Sequence, residues 1–194
     1  MIGGLVLAGG GGSRFGGGKL LAELDGRPLV EYPIAALTEA GVERVVLVVG
    51  ADEERIREEA DTGDAKLVVA DDWEDGQAES LKAGIQALGD AEAVVVLLGD
   101  QPLISGAAIE RVLEAREVGA EVVRATYGGL AAHPTVFERS ALPRLLELEG
   151  DVGARQIVTE LRVREVACDD VADPLDVDTP TDLDRARAKL AEGT

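Results

Sequence analysis

Residues 5–21 read LVLAGGGGSRFGGGKLL, and the rest of the chain is organised around this stretch. An apolar segment, residues 2–8, delivers the backbone into a glycine-rich loop that carries two fixed cations, Arg14 and Lys19. Glycine accepts positive φ and lets the main chain approach a ligand, so peptide N–H groups can point at phosphate oxygens. The cations then meet the charge that the amides cradle, which makes the loop a candidate polyphosphate site. A Walker A loop would need Gly where Ser13 stands and Ser or Thr where Leu20 stands. The G-x-G-x-x-G dinucleotide pattern fails in every register of the loop, because Arg14, Phe15 or another non-glycine falls on a required glycine. A flexible linker is the bland alternative. It has no use for an apolar strand on one side and for Arg and Lys at set offsets.

Outward from the loop, four apolar runs recur with helical patterns between them. Residues 20–24 read as a short extended piece closed by the Asp25-Gly26 turn. Pro28 opens a helical pattern that ends at Gly41, with Pro33 marking a kink or a later start. Residues 44–49, RVVLVV, form a continuous β-branched run of the kind buried on both faces of a parallel sheet, and belong beside the first strand. Residues 52–60 are a charged helix and 66–70 a third apolar run, which empties into Asp71, Asp72, Trp73 and Gly76. A helix follows at 78–88, then AVVVLL at 93–98, which ends in Gly99, Asp100, Gln101 and Pro102. Ser105 or a neighbour caps a helix over 107–118. Beyond it the pattern loosens: strand at 121–126, turn or edge at 127–132, extended piece at 133–137, helices at 139–148 and 152–161, strand at 163–167, and a closing helix over 181–190.

This rhythm predicts an α/β protein: a single domain over residues 1–194, Rossmann-like and doubly wound, with a mostly parallel sheet and helices on both faces. Ligands in such sheets sit beyond the carboxyl ends of the strands, where Arg14, Lys19, Asp71 and Asp100 all fall. The composition agrees with one domain, since 194 residues with 46% hydrophobic content suffice for one sizeable core. A formal charge of −19 excludes nucleic acid and anionic membrane as expected partners, and would also suit a salt-rich cytoplasm. No leader or membrane span is read from the sequence, so a cytoplasmic protein is expected. One cysteine, Cys168, and one histidine, His133, exclude an internal disulfide and paired-His metal sites.

Asp100 stands one residue past the most apolar run, where a carboxylate without a partner would be costly. With a phosphate loop at a neighbouring strand end it reads as a Mg²⁺ ligand, since magnesium takes one or two carboxylates plus substrate phosphates. Capping of the next helix is the alternative. In Asp176-Val177-Asp178-Thr179-Pro180 the alternate aspartates point to one side of an extended segment and could face one ion, or could belong to an ordinary helix N-cap.

The stretch from Leu7 through Gly10, Arg14 and Gly16 to Lys19 resembles the signature L-A-G-G-x-S-x-R-x-G-x-x-K of MobA-like nucleotidyltransferases, with Gly12 in the serine position and Ser13 beside it. GDQPL at 99–103, HPTVF at 133–137, GDVGAR at 150–155 and DVDTPTDL at 176–183 are similar, in order, to the molybdenum cofactor cytidylyltransferase branch. Ala132 departs from the usual glycine before His-Pro. Gly9-Gly10 is the form typical of guanylyl-transferring relatives.

The resemblance implies a nucleotide-diphospho-sugar transferase type of fold and a Mg²⁺-dependent transfer from CTP to the terminal phosphate of molybdopterin, with pyrophosphate released. It implies that Arg14, Lys19 and Asp100 are catalytic, and that Asp100 and Asp178 hold the metal. Leu7, Ala8, Gly9, Gly10, Gly11, Gly12, Ser13, Arg14, Lys19, Asp71, Gly76 and Ser80 would bind the nucleotide. Gln101, His133, Pro134, Asp151, Arg155 and Asp176 would face the acceptor, and a molybdenum hydroxylase would receive the product. GTP as donor and a sugar phosphate as acceptor remain open within the same chemistry. From another class, the chain could carry the cofactor to its enzyme without catalysis.

Overall fold

In the computed structural model, residues 1–9, 15–70, 72–73, 76–150 and 154–192 are described. Strand β1 (Ile2–Ala8) is followed, among the described residues, by a 3-10 turn (Lys19–Leu21) and a small hairpin, β2 (Glu23–Leu24) and β3 (Arg27–Pro28). Its turn residues Asp25 and Gly26 have φ of 52° and 77°, the two positive values that a type I′ turn needs. Helix α1 (Glu31–Glu39), β4 (Arg44–Val49), α2 (Glu53–Glu59), β5 (Lys66–Val69), α3 (Gln77–Leu88) and β6 (Ala93–Leu98) complete the first half. The second half is α4 (Gly106–Glu114), β7 (Val122–Tyr127), β8 (Leu130–Glu138), α5 (Leu142–Leu146), α6 (Arg155–Val158), β9 (Val163–Ala167) and α7 (Pro180–Glu192).

Seven strands form one sheet in the order β5-β4-β1-β6-β8-β7-β9. The pairs β5·β4, β4·β1, β1·β6 and β7·β9 are parallel, while β8 runs antiparallel to both of its neighbours. The apolar runs explain the two-sided core. In β4, Val45, Leu47 and Val49 face α1 and α4 together with Val6, Val95, Leu97, Ile34, Ile109 and Val112. Val46 and Val48 face the other way, with Leu5, Val94 and Val96, onto Leu81, Ile85 and Leu88 of α3 and Leu142 and Leu145 of α5. Helix α3 approaches β1 closely enough that a Cβ on Gly84 would collide with the Leu5 side chain. Among the described residues no helix is long and apolar enough to cross a membrane.

Several boundaries move from their sequence expectations. The first helix starts at Glu31, not Pro28, because Pro28 pairs with Glu23 in the hairpin. Pro33 then sits in the first turn, where its missing N–H costs no intrahelical bond. Residues 20–24 are not one extended piece: Lys19–Leu21 is a 3-10 turn that buries Leu20 and Leu21. The fourth helix stops at Glu114, four residues short of the expected end, and Ser105 caps it by accepting the Ala108 N–H at 3.2 Å. The expected turn over 127–132 is the tip of a hairpin, with β8 already begun at Leu130. The register slips between Arg124 and Ala125, so that His133 and Pro134 bulge out of the ladder.

Candidate active site

Four parallel strands, β5, β4, β1 and β6, end on one rim. Because β8 is antiparallel, its first residues come to the same rim. Residues Leu7, Ala8 and Gly9 bring the first strand to that edge, with Leu7 paired to Leu98 and Ala8 to Val49. Gly10, Gly11, Gly12, Ser13 and Arg14 lie outside the described residues, as do Asp71 and Asp151; the same holds for the side chain of Arg155.

Lys19 is positioned by its neighbours. Gly18 has φ 63° and leads into the 3-10 turn, whose Leu20 packs over Gly99, where an added Cβ would come within 3.1 Å of it. Anchoring Leu20 on Gly99 places Lys19 beside Asp100. The Lys19 ammonium donates to Asp100 Oδ2 at 2.6 Å and to Asp178 Oδ1 at 3.1 Å. The lysine side chain is only 12% exposed, and burial works against its charge, but the two carboxylates outweigh that and hold its pKa above the ordinary value. The other Asp100 oxygen, Oδ1, is buried with no hydrogen-bond partner.

Asp178 and Asp176 reach this rim on the segment that follows β9. Cys168 N–H bonds the Thr126 carbonyl at the edge, Asp173 N–H the Leu103 carbonyl, and Val177 N–H the Asp100 carbonyl at 2.9 Å. The strap is thus stitched across the rim to the centre of the sheet. Its extended backbone turns Val177 into a small core with Leu24, Leu29 and Ala186, and Asp176 and Asp178 flank that anchor. Gln101 is buried and donates Nε2 to Asp176 Oδ1 at 2.8 Å, while its own Oε1 has no partner. Partial loss of water pushes the Asp176 carboxyl above its usual range against the Gln101 bond, with the charges of Asp100 and Asp178 acting in the same direction.

Gly76, with φ 124°, precedes α3, and Ser80 one turn later is buried. A Cβ on Gly9 would press into Ser80 Oγ, so the serine of α3 and the glycine after β1 are packed as a pair. At the next strand end a Cβ on Gly50 would lie 2.7 Å from the Gly9 carbonyl oxygen and 2.8 Å from Trp73 Cγ. His133 turns Nδ1 to the Val96 carbonyl at 3.1 Å. Pro134, which follows through a cis peptide bond, is buried and has no N–H to offer that strand, so the imidazole ring takes the place of a ladder donor. The carbonyl acceptor requires the proton on Nδ1.

One neighbour of the loop was not singled out in the sequence. Arg55, in the helix read only as charged, pairs with Glu59 and lies with its guanidinium against Gly18 at the exit of the loop. Gln101, expected to face the acceptor, also braces Asp176 through its amide. Among the described residues, no group of three or more His, Cys, Asp or Glu side chains could hold a metal ion. The arrangement is two carboxylates around a lysine, which suits an ion that completes its shell with phosphate and water.

Residues 4–166 match the sequence pattern of the MobA-like NTP transferase domain. The chain belongs to that family. A curated relative, nicotine blue oxidoreductase of Paenarthrobacter nicotinovorans, is 32% identical over 187 residues, covering 91% of each chain. Among solved structures, the Rv0371c homologue from Mycobacterium sp. strain JC1 superposes with a TM-score of 0.87 at 28% identity, over 100% of this chain and 98% of that one. Rv0371c of Mycobacterium tuberculosis, in complex with manganese, gives 0.82 at 29% identity, over 96% and 98%. The MobA-like chain is a nucleotidyltransferase with the α/β fold of its relatives, and its strand ends and strap form one rim.

Proposed function

We propose that this nucleotidyltransferase moves a nucleotidyl group from CTP to the terminal phosphate of a molybdopterin-type cofactor, with GTP as the alternative donor. The observation that carries the reading is the meeting of Lys19 with Asp100 and Asp178 at the rim where the glycine loop begins. In the reaction an oxygen of the acceptor phosphate bonds to the α-phosphorus, the bond from that phosphorus to the bridging oxygen breaks, and pyrophosphate leaves. No protein nucleophile is required, because a phosphate monoester is already ionised at neutral pH. The work of the chain is to hold two anions that repel each other in line, and to offset the charge of the transition state.

Arg14 and Lys19 hold the triphosphate. Gly9 to Ser13, together with Leu7, Ala8, Asp71, Gly76 and Ser80, take the nucleoside. Asp176, braced by Gln101, faces the acceptor with His133, Pro134, Asp151 and Arg155. A divalent cation, Mg²⁺ by expectation and Mn²⁺ in the mycobacterial relative, fits the donor set: Asp100 Oδ1 is a buried carboxylate oxygen without a partner, and Asp178 stands across Lys19 from it. When bound, such an ion supplies positive charge to the reacting phosphates. A molybdenum hydroxylase is the proposed recipient of the product.

The test measures pyrophosphate release from CTP, GTP and UTP with molybdopterin. CTP is expected to lead. Asp100→Asn is expected to lower turnover by about 10²–10³-fold, the usual cost of removing one electrostatic contact to a transition state, with a single cooperative unfolding transition retained. Undiminished release by that variant would overturn the role of Asp100. Because one relative bears a redox name, NADPH oxidation is followed in parallel. Oxidation without pyrophosphate from any triphosphate would overturn the reading as a whole, and so would cofactor handover without pyrophosphate.

A further inference from the structure

Lys19 carries two assignments that it cannot fulfil together. As the lysine of the phosphate loop it belongs on the triphosphate, yet its ammonium lies between the two carboxylates proposed for the cation, 2.6 Å from one and 3.1 Å from the other. We infer that Lys19 is a placeholder cation, so that nucleoside triphosphate and divalent metal each open the other's site and load as a coupled pair. The inference rests on the reading of the loop and the carboxylates given above.

The surroundings explain why exchange is the available route. The backbone beneath Lys19 is held by buried Leu20 and Leu21, so the movable part is its four-carbon side chain. The carboxylates cannot separate easily, since Val177 N–H is bonded to the Asp100 carbonyl and the Val177 side chain is buried in the core below the strap. Without a cation between them, two partly buried negative charges would face each other, with Asp176 as a third nearby. A metal ion arriving alone must therefore either evict the ammonium or settle beside it, and both cost electrostatic energy. Triphosphate oxygens offer the ammonium equivalent partners. Once Lys19 has moved to them, the carboxylates are left needing the charge that the metal brings. Linkage makes the effect reciprocal: whatever the nucleotide does for the metal, the metal does for the nucleotide.

The experiment reads Mn²⁺ binding by electron paramagnetic resonance, together with melting temperature, on the whole chain without nucleotide. Wild type is expected to bind Mn²⁺ weakly and to melt at the same temperature with or without it. Lys19→Met is expected to melt below wild type in EDTA, to bind Mn²⁺ about tenfold more tightly or better, and to recover its melting temperature when Mn²⁺ alone is added. Adding Asp100→Asn to Lys19→Met should abolish both gains. Equal Mn²⁺ affinity of wild type and Lys19→Met without nucleotide overturns the inference. So does failure of Mn²⁺ to restore the melting temperature of Lys19→Met. The functional reading is tested separately by adding CTP or GTP. Tight Mn²⁺ binding by wild type both with and without nucleotide sinks only the placeholder, whereas unaltered nucleotide-dependent Mn²⁺ binding in Asp100→Asn sinks the metal assignment itself.

Discussion

The main core and the small core beneath the strap bury the same kinds of side chain but are assembled in different ways. The main core is built by consecutive residues of β4, β1 and β6, whose alternate side chains fill both faces of the sheet. The small one gathers Leu24 and Leu29 from the first hairpin region, Val177 from the strap and Ala186 from α7, with Phe15 and Leu103 against them. The first holds the fold. The second holds Asp176 and Asp178 in place, so damage to it should appear in chemistry before it appears in stability.

Leu47→Ala against Val177→Ala tests that contrast most strongly. Leu47 is fully buried in the main core, and its truncation should cost about 2–5 kcal/mol of stability, read from chemical denaturation, while leaving kcat per folded molecule unchanged. Val177→Ala removes two methyl groups and should cost only about 1.5 kcal/mol, yet lower kcat/KM by about 10–100-fold as the strap carboxylates lose their register. Equal losses of activity per folded molecule in the two variants would break the distinction.

A smaller effect is expected where α3 meets the loop. Gly9→Ala forces Ser80 Oγ aside and should raise KM for the nucleotide by up to about tenfold, equivalent to ~1.4 kcal/mol. Ser80→Ala in the same chain removes the obstructing oxygen and leaves the added methyl at 3.5 Å from the Ser80 Cβ, an ordinary contact, so the double variant should recover part of the loss, the remainder being the contact that Ser80 itself makes with the nucleotide. No recovery would mean that the packing of Gly9 against α3 has no part in the effect.

The smallest effect is a pH dependence. The folded Asp176 carboxyl has a raised pKa, so its ionised form weakens the native state. That penalty is present at neutral pH and disappears as the carboxyl protonates on the way down toward the ordinary aspartate range. Asp176→Asn should therefore be slightly more stable than wild type at neutral pH, with the two curves converging on acidification. Curves that diverge as pH falls would reverse the sign.

Legibility in the sequence follows the same division. Strands β4, β6 and β9 lie where their apolar or alternating runs predict them, because a strand's burial is written in its own residues. The first helix was misplaced because Pro28 is as good a helix start as a hairpin residue, and only its pairing with Glu23 decides. The antiparallel course of β8 was not readable for a similar reason. His133 and Pro134 interrupt its pattern, and the ladder that accommodates them belongs to β7 and β6. Lys19 and Asp100 could be nominated from the ends of apolar runs. The burial of Gln101, and Arg55 lying against Gly18, could not, since each depends on a neighbour far away in the chain.

By itself the sequence determined the alternation of strands and helices, the rim formed by the carboxyl ends of the parallel strands, and the presence of Lys19 and Asp100 there, because periodicity and turn chemistry act over a few neighbouring positions. Only the tertiary structure decided that Lys19 lies between Asp100 and Asp178, and that a strap from the sheet edge brings Asp176 to Gln101. Contacts between residues 81 and 159 positions apart are set by packing and main-chain stitching across the rim, for which no local pattern exists.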